Sequence, residues 1–244
     1  RTPITISGNT TESRSIAMAD SIEVTLPDAP HIHVYLSPEA GIQIVVADTD
    51  TPRVEYPSEL SDYITVSERN GKLTLLIGRA EDPAKDTKTR YYRYVECPHP
   101  IRIVMPAAPA KVRSTLSNVP VILKDTSADS ICLQIRGTTH LDGCRLTRAT
   151  INPADLGQYP EFTLSNTSIS AIAVGERTRR LTLKADSLST VEAIDWHSTL
   201  KADDNCDLNA GRLRIGRISF SSVTDSTSFT LDTTGAFTLD TKRK

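Results

Sequence analysis

The last strand-like stretch of the chain, FTLDTTGAFTLD (residues 229 to 240), writes the same four letters twice, eight residues apart. Within each copy the apolar Phe and Leu alternate with Thr and Asp, the period-two pattern of a strand with one buried face. The intervening TTGA is a turn, with Gly235 easing the bend. The two copies therefore read as two adjacent sides of one terminal winding. The closing KRK (242 to 244) sets charge at its open edge, a defence against edge-to-edge pairing.

Working back from this end, apolar residues recur in columns. One runs through Leu146, Leu164, Leu183, Leu200, Ile218 and Phe237, and a second through Leu116, Leu133, Ile151, Ile169, Leu188, Cys206 and Val223, all with steps of 17 to 19. The tetrapeptide LKAD recurs at 183 to 186 and 200 to 203. A period near 18 predicts a parallel β-helix in which each coil stacks on the last at the strand spacing and buries its inward residues only through its neighbours. Evenly spaced antiparallel hairpins are the competing architecture.

The first third alternates in the same way, in IEVTL (22 to 26), HIHVYL (31 to 36), IQIVVA (42 to 47), YITVS (63 to 67) and KLTLLI (72 to 77). Turn residues separate these runs, and Asn70-Gly71 suits a tight hairpin because both residues tolerate positive φ. Residues 78 to 100 break the rhythm with charge, aromatics and proline, as a long loop or excursion does. No window carries helical spacing of apolar residues. The fold class expected is all-β: a leader over 1–13, then one domain over 14–244, with shorter, partly antiparallel strands over 14–100 and regular coils of about 18 residues over 101–244.

With 244 residues, 38% of them hydrophobic, the chain can bury a large core. A net charge of −2 lacks the basic surplus of a general nucleic-acid binder, so no nucleic-acid partner is expected. No apolar run reaches the roughly 18 residues of a membrane-spanning helix. The chain starts at Arg1, so a processed upstream segment is expected and any membrane link would be an upstream lipid anchor. Cys97, Cys132, Cys144 and Cys206 form no CxxC pair and read as isolated thiols, with Cys206 a small buried hydrophobe.

Three stretches carry a family resemblance. SIEVTL with HIHVYL, LSDYITVSERNGKLTLLI, and IRIVMPAAPAKVRSTLSNVPVIL resemble, in order, the opening strand pair, the strand-turn-strand and the entry into the coil of the auto-transporter adhesin head domain family, also called the GIN domain, of exported Bacteroidetes proteins. The resemblance spans roughly residues 14 to 240, and departs from the family at 78 to 100 and at Asn118, where glycine is common. It implies a right-handed β-helix-like fold, export to the cell envelope or beyond, and no enzymatic activity.

Motifs for chemistry are absent. There is no GxSxG elbow and no phosphate loop, and no cofactor is expected. His31 and His33 share one side of a strand without a third ligand nearby, and KADDNCD (201 to 207) lacks the order of a calcium loop, so no metal is expected. The alternative to a binding domain is a polysaccharide lyase or hydrolase on the same scaffold, using Asp186, Asp203 and Asp204 beside Lys184 and Lys201. For binding, RYYRY gathers Arg90, Tyr91, Tyr92, Arg93 and Tyr94, and Trp196 interrupts the coil pattern at AIDWHST. Exposed aromatics stack on sugar rings, and the same tyrosines would serve equally to cap an open end of the stack. A glycan or a surface protein of the envelope or host is the partner this reading expects.

Overall fold

The computed structural model describes residues 4–80, 93–152, 156–175, 177–198, 205–222 and 228–243. Among the described residues strand accounts for 63% and helix for 3%, which makes the fold all-β. The strands form three sheets, and among the described residues none closes into a barrel.

The first ten-stranded sheet runs in spatial order β2 (Thr11–Ser15), β6 (Arg53–Pro57), β11 (Ile101–Met105), β5 (Ile42–Val46), β13 (Val121–Lys124), β15 (Thr138–Asp142), β17 (Glu161–Ser165), β19 (Arg180–Ala185), β21 (Asn205–Gly211) and β23 (Ser228–Thr233). The second runs β24 (Thr238–Arg243), β22 (Ile215–Ser222), β20 (Thr190–Ser198), β18 (Ser168–Val174), β16 (Arg145–Ile151), β14 (Ser127–Ile135), β12 (Lys111–Ser114), β3 (Ser21–Thr25), β8 (Lys72–Ile77) and β7 (Ile64–Arg69). A smaller sheet of β1 (Ile4–Thr5), β10 (Arg93–Cys97), β4 (Pro30–Leu36) and β9 (Arg79–Ala80) stands at the N-terminal end. From β12 onward the chain alternates between the two large sheets, and each strand pairs in parallel with the strand two places on. Among the described residues antiparallel pairs occur only between the early strands, β2–β6, β6–β11, β4–β9 and β7–β8. The last of these turns through Asn70 and Gly71, both at positive φ, as the sequence expects.

Register builds the core. Across the second sheet Leu133 pairs Ile151, then Val174, Trp196 and Phe220, while Leu146 pairs Ile169, then Val191 and Ile215. Across the first, Ile44 pairs Leu123, then Leu141 and Leu164, and Phe162 pairs Leu183. The inward residues of all three sheets join one buried cluster, each fully buried aliphatic side chain contributing about 1.5–3 kcal/mol. The strands of the second sheet bend: Leu146, Ala149 and Ile151 point in while Thr147 and Arg148 both point out, and Ile169, Ile172 and Val174 repeat the pattern. The apolar signature of a winding is thus i, i+3, i+5.

The fixed 18-residue columns are corrected. Only Leu133 and Ile151 among their described successive members are partners; Leu146 lies on the second sheet, Leu164 and Leu183 on the first, and Leu188 is 68% exposed in a turn. Leu200 and Val223 lie outside the described residues. Steps between true partners are 18 from Leu133 to Ile151 but 23, 22 and 24 from there to Phe220, because the connections between the two sheets differ in length. The FTLD copies do fall on the two sheets, in β23 and β24, with Leu239 rather than Phe237 continuing from Ile218. At the corner between them a Cβ on Gly235 would stand 2.0 Å from the Leu213 carbonyl oxygen, so only glycine lets these windings approach.

Corners from the first sheet to the second follow a rule. Asp125, Gly143 and Asn166 occupy equivalent places in three successive windings, all with positive φ, and each is followed by a fully buried Thr126, Cys144 or Thr167. Asp and Asn tolerate this conformation better than other side chains, and glycine takes it without penalty. The Thr167 hydroxyl, 2.9 Å from the carbonyls of Leu141 and Ser165, accepts from the Cys144 N–H at 3.3 Å, and the Ser189 hydroxyl accepts from the Thr167 N–H at 3.1 Å. This polar ladder satisfies corner backbone that would otherwise be buried unpaired.

Residues 4–13, set aside in sequence as a leader, carry β1 and the start of β2, and Ile6 is 2% exposed within the core. The end of the 78 to 100 stretch is regular strand, β10, held between β1 and β4. No disulfide joins the four cysteines.

Candidate functional site

The outward face of the small N-terminal sheet presents aromatic rings. Alternation along β4 buries Ile32, Val34 and Leu36, and so turns His31, His33 and Tyr35 outward; on β10 it buries Val95 and Cys97 and turns out Tyr94 and Glu96. Parallel pairing sets Tyr94 beside His33 and Glu96 beside Tyr35. The Tyr35 and Tyr94 rings lie 5.3 Å apart at a 38° tilt, and His33 and Tyr94 lie 6.1 Å apart at 35°. Tyr35 is 38% and Tyr94 43% exposed, large for rings already touching one another. Partial burial, and then the neighbouring Tyr94, raise the Tyr35 phenol above its usual pKa, so Tyr35 stays a neutral donor at physiological pH. Their backbone is fixed by Val34 and Val95, paired in register and buried beneath.

Of the binding residues read from sequence, Tyr94 belongs to this patch. Arg90, Tyr91 and Tyr92 lie outside the described residues; Arg93 has its backbone in β10, and its side chain lies outside them. Trp196 requires a correction. Its side chain is 1% exposed and packs in the core 5.9 Å from the Phe220 ring, which in turn lies 3.8 Å from Phe229. Strand alternation turns it inward, so it has no ring face to offer a ligand, and its indole N–H is buried without a partner among the described residues.

The acidic residues proposed for an enzyme divide similarly. Asp186 accepts from the Ser189 hydroxyl at 2.7 Å, the Asn166 N–H at 3.0 Å and the Leu188 N–H at 3.2 Å, and these bonds, led by Ser189, hold its carboxyl below the usual range. It is a corner cap. Lys184 pairs with Glu161 at 2.6 Å, and Lys201, Asp203 and Asp204 lie outside the described residues. No group of three metal-ligating side chains occurs among the described residues, and His31 and His33 face outward opposite Ile32 and Val34.

Sequence reasoning missed Tyr35, Tyr159 and a trough on the second sheet. Tyr35 was legible in the alternation of HIHVYL, whereas its pairing with Tyr94, 59 residues away, belongs to the tertiary register. Tyr159 is 62% exposed, with the Arg180 guanidinium 5.8 Å over its ring and Arg180 bonded in turn to Asp207. The trough, holding about 370 Å³, lies on β16, β18, β20, β22 and β24 and is lined by outward residues such as Arg148, Asp195 and Arg217 together with the inward Val174, Trp196 and Phe220.

Neither a family model nor a curated protein matches the chain. Among solved structures it is similar to a candidate adhesin from Bacteroides fragilis (13% identity, 98% of this chain and 100% of that one, TM-score 0.44). It is similar also to a candidate lipid-binding protein from Parabacteroides distasonis (13%, 98% and 99%, TM-score 0.46) and a candidate adhesin from Parabacteroides merdae (11%, 98% and 98%, TM-score 0.42).

Proposed function

We propose that this chain is a non-enzymatic, exported binding or adhesion domain of the bacterial cell envelope, built as a right-handed β-helix-like solenoid of the auto-transporter adhesin head (GIN) type, and that the His33–Tyr35–Tyr94 patch binds the ring faces of a glycan. The observation that carries this reading is the pair of exposed, touching tyrosines on a backbone fixed from below. Ring faces attract the C–H faces of sugars, while phenol hydroxyls and Glu96 bond sugar hydroxyls. A rigid sheet loses little entropy on binding, which suits a recognition surface. Alternating parallel strands on two sheets support the solenoid, and the order of strand motifs supports the family and the envelope location. The partner is a glycan, free or borne by a surface protein.

The test is a screen of the full chain against an array of neutral and acidic glycans, repeated with Tyr94→Ala and Tyr35→Ala. Loss of one ring is expected to weaken binding about threefold to tenfold, from the ~0.5–1.5 kcal/mol of a ring contact. The melting temperature should hold, since both rings are exposed. Glycan binding that is unchanged in both variants would remove the patch from the function.

A further inference from the structure

From the trough on the second sheet we infer a separate binding site for an acidic saccharide, a sugar ring bearing a carboxylate. Ala173 on β18 lines the trough, and in the adjacent row Ala171 on β18 pairs Ala193 on β20, so small residues keep this part of the sheet surface low. In register across it run Arg148, Ala171, Ala193 and Arg217, and in the next row Thr150, Ala173, Asp195, Ser219 and Asp240. Arg148 and Arg217 thus stand three strands apart, about 14 Å at the strand spacing, with nothing bulkier than a methyl group between them. A volume of about 370 Å³ lies in the usual range of small-ligand sites.

The charges favour an anion that also carries hydroxyls. Arg148 has no carboxylate partner among the described residues. Arg217 meets Asp195 at 3.6 Å, with side chains 55% and 40% exposed, a loose contact of little energy. A ligand carboxylate can take the second edge of that guanidinium or engage Arg148 in the paired geometry that arginine offers carboxylates. Asp195, Asp240, Ser219 and the Ser221–His197 pair, bonded at 2.9 Å, are placed to bond the hydroxyls of the same ring. The Ala173 methyl group offers a contact to its apolar face. The two carboxylates disfavour a ligand carrying several sulfates, so a uronate suits the balance of charge better than a sulfated sugar.

The experiment is calorimetric titration of the full chain with trigalacturonate, its neutral methyl ester, and a sulfated trisaccharide. Trigalacturonate is expected to bind, at least about tenfold more tightly than the ester, and more weakly as salt rises. Arg148→Gln is expected to lower its affinity by about tenfold, and Ala173→Phe, which fills the trough from the solvent side, to abolish binding. Tyr35→Ala and Tyr94→Ala should leave it unchanged, which keeps this site distinct from the tyrosine patch. No binding of trigalacturonate, equal binding of the ester, tighter binding of the sulfated sugar, unchanged affinity in the Arg148 and Ala173 variants, or cleavage of the trisaccharide would each overturn the inference.

Discussion

At Thr167 one hydroxyl serves two windings. It accepts from the Cys144 N–H and lies 2.9 Å from two carbonyls, with no solvent exposure to compensate if it is lost. Thr167→Val keeps the shape but leaves the buried Cys144 N–H unpaired, and should destabilise the protein by about 1–3 kcal/mol in urea unfolding. Asp186, at the next corner, acts through charge. Its carboxyl is held below the ordinary 3.8 by Ser189 and the backbone N–H groups of Asn166 and Leu188. A depressed carboxylate stabilises fully above its unfolded pKa and stops doing so as pH falls through the folded value. The melting temperature of the wild type should therefore drop below about pH 4 more steeply than that of Asp186→Asn, which should be less stable at neutral pH and lack that component of the acid loss.

Among the elements, β20 is paired on both sides and carries Val191, Ile194 and Trp196 inward. Ile194 is fully buried between Ile172 and Ile218, and Ile194→Ala should cost about 2–5 kcal/mol by equilibrium unfolding, because paired strands on either side prevent collapse of the cavity. The strands themselves were legible from alternation, and the Asn70-Gly71 hairpin from turn chemistry. Register was not. A constant period holds only while every connection has the same length, and the jump from 18 to 23 residues after Ile151 breaks it. The signal that survives is internal to each bent strand: the spacing of Leu146, Ala149 and Ile151, of Ile169, Ile172 and Val174, and of Ile215, Ile218 and Phe220. Corner residues carried a second signal, Asp125-Thr126, Gly143-Cys144 and Asn166-Thr167, which apolar columns pass over.

For the molecule as a whole, length adds both core and surface, and its exposed edges are guarded. β2 is polar along its whole length with Glu12 and Arg14, and β7 ends in Glu68 and Arg69. The candidate site was half visible in sequence. Tyr94 stood out by composition, but Tyr35 joins it only because β4 and β10 pair in one particular register. Trp196 stood out for the same reason and points the other way, since composition does not tell which face a residue takes.

The recognition role of the tyrosine patch is tested most directly by nuclear magnetic resonance titration of the full chain with the glycan that binds most tightly in the array screen. Saturable shifts are expected at His33, Tyr35, Tyr94 and Glu96, with the far strands of the large sheets silent. Shifts that leave those four residues unmoved would contradict the account.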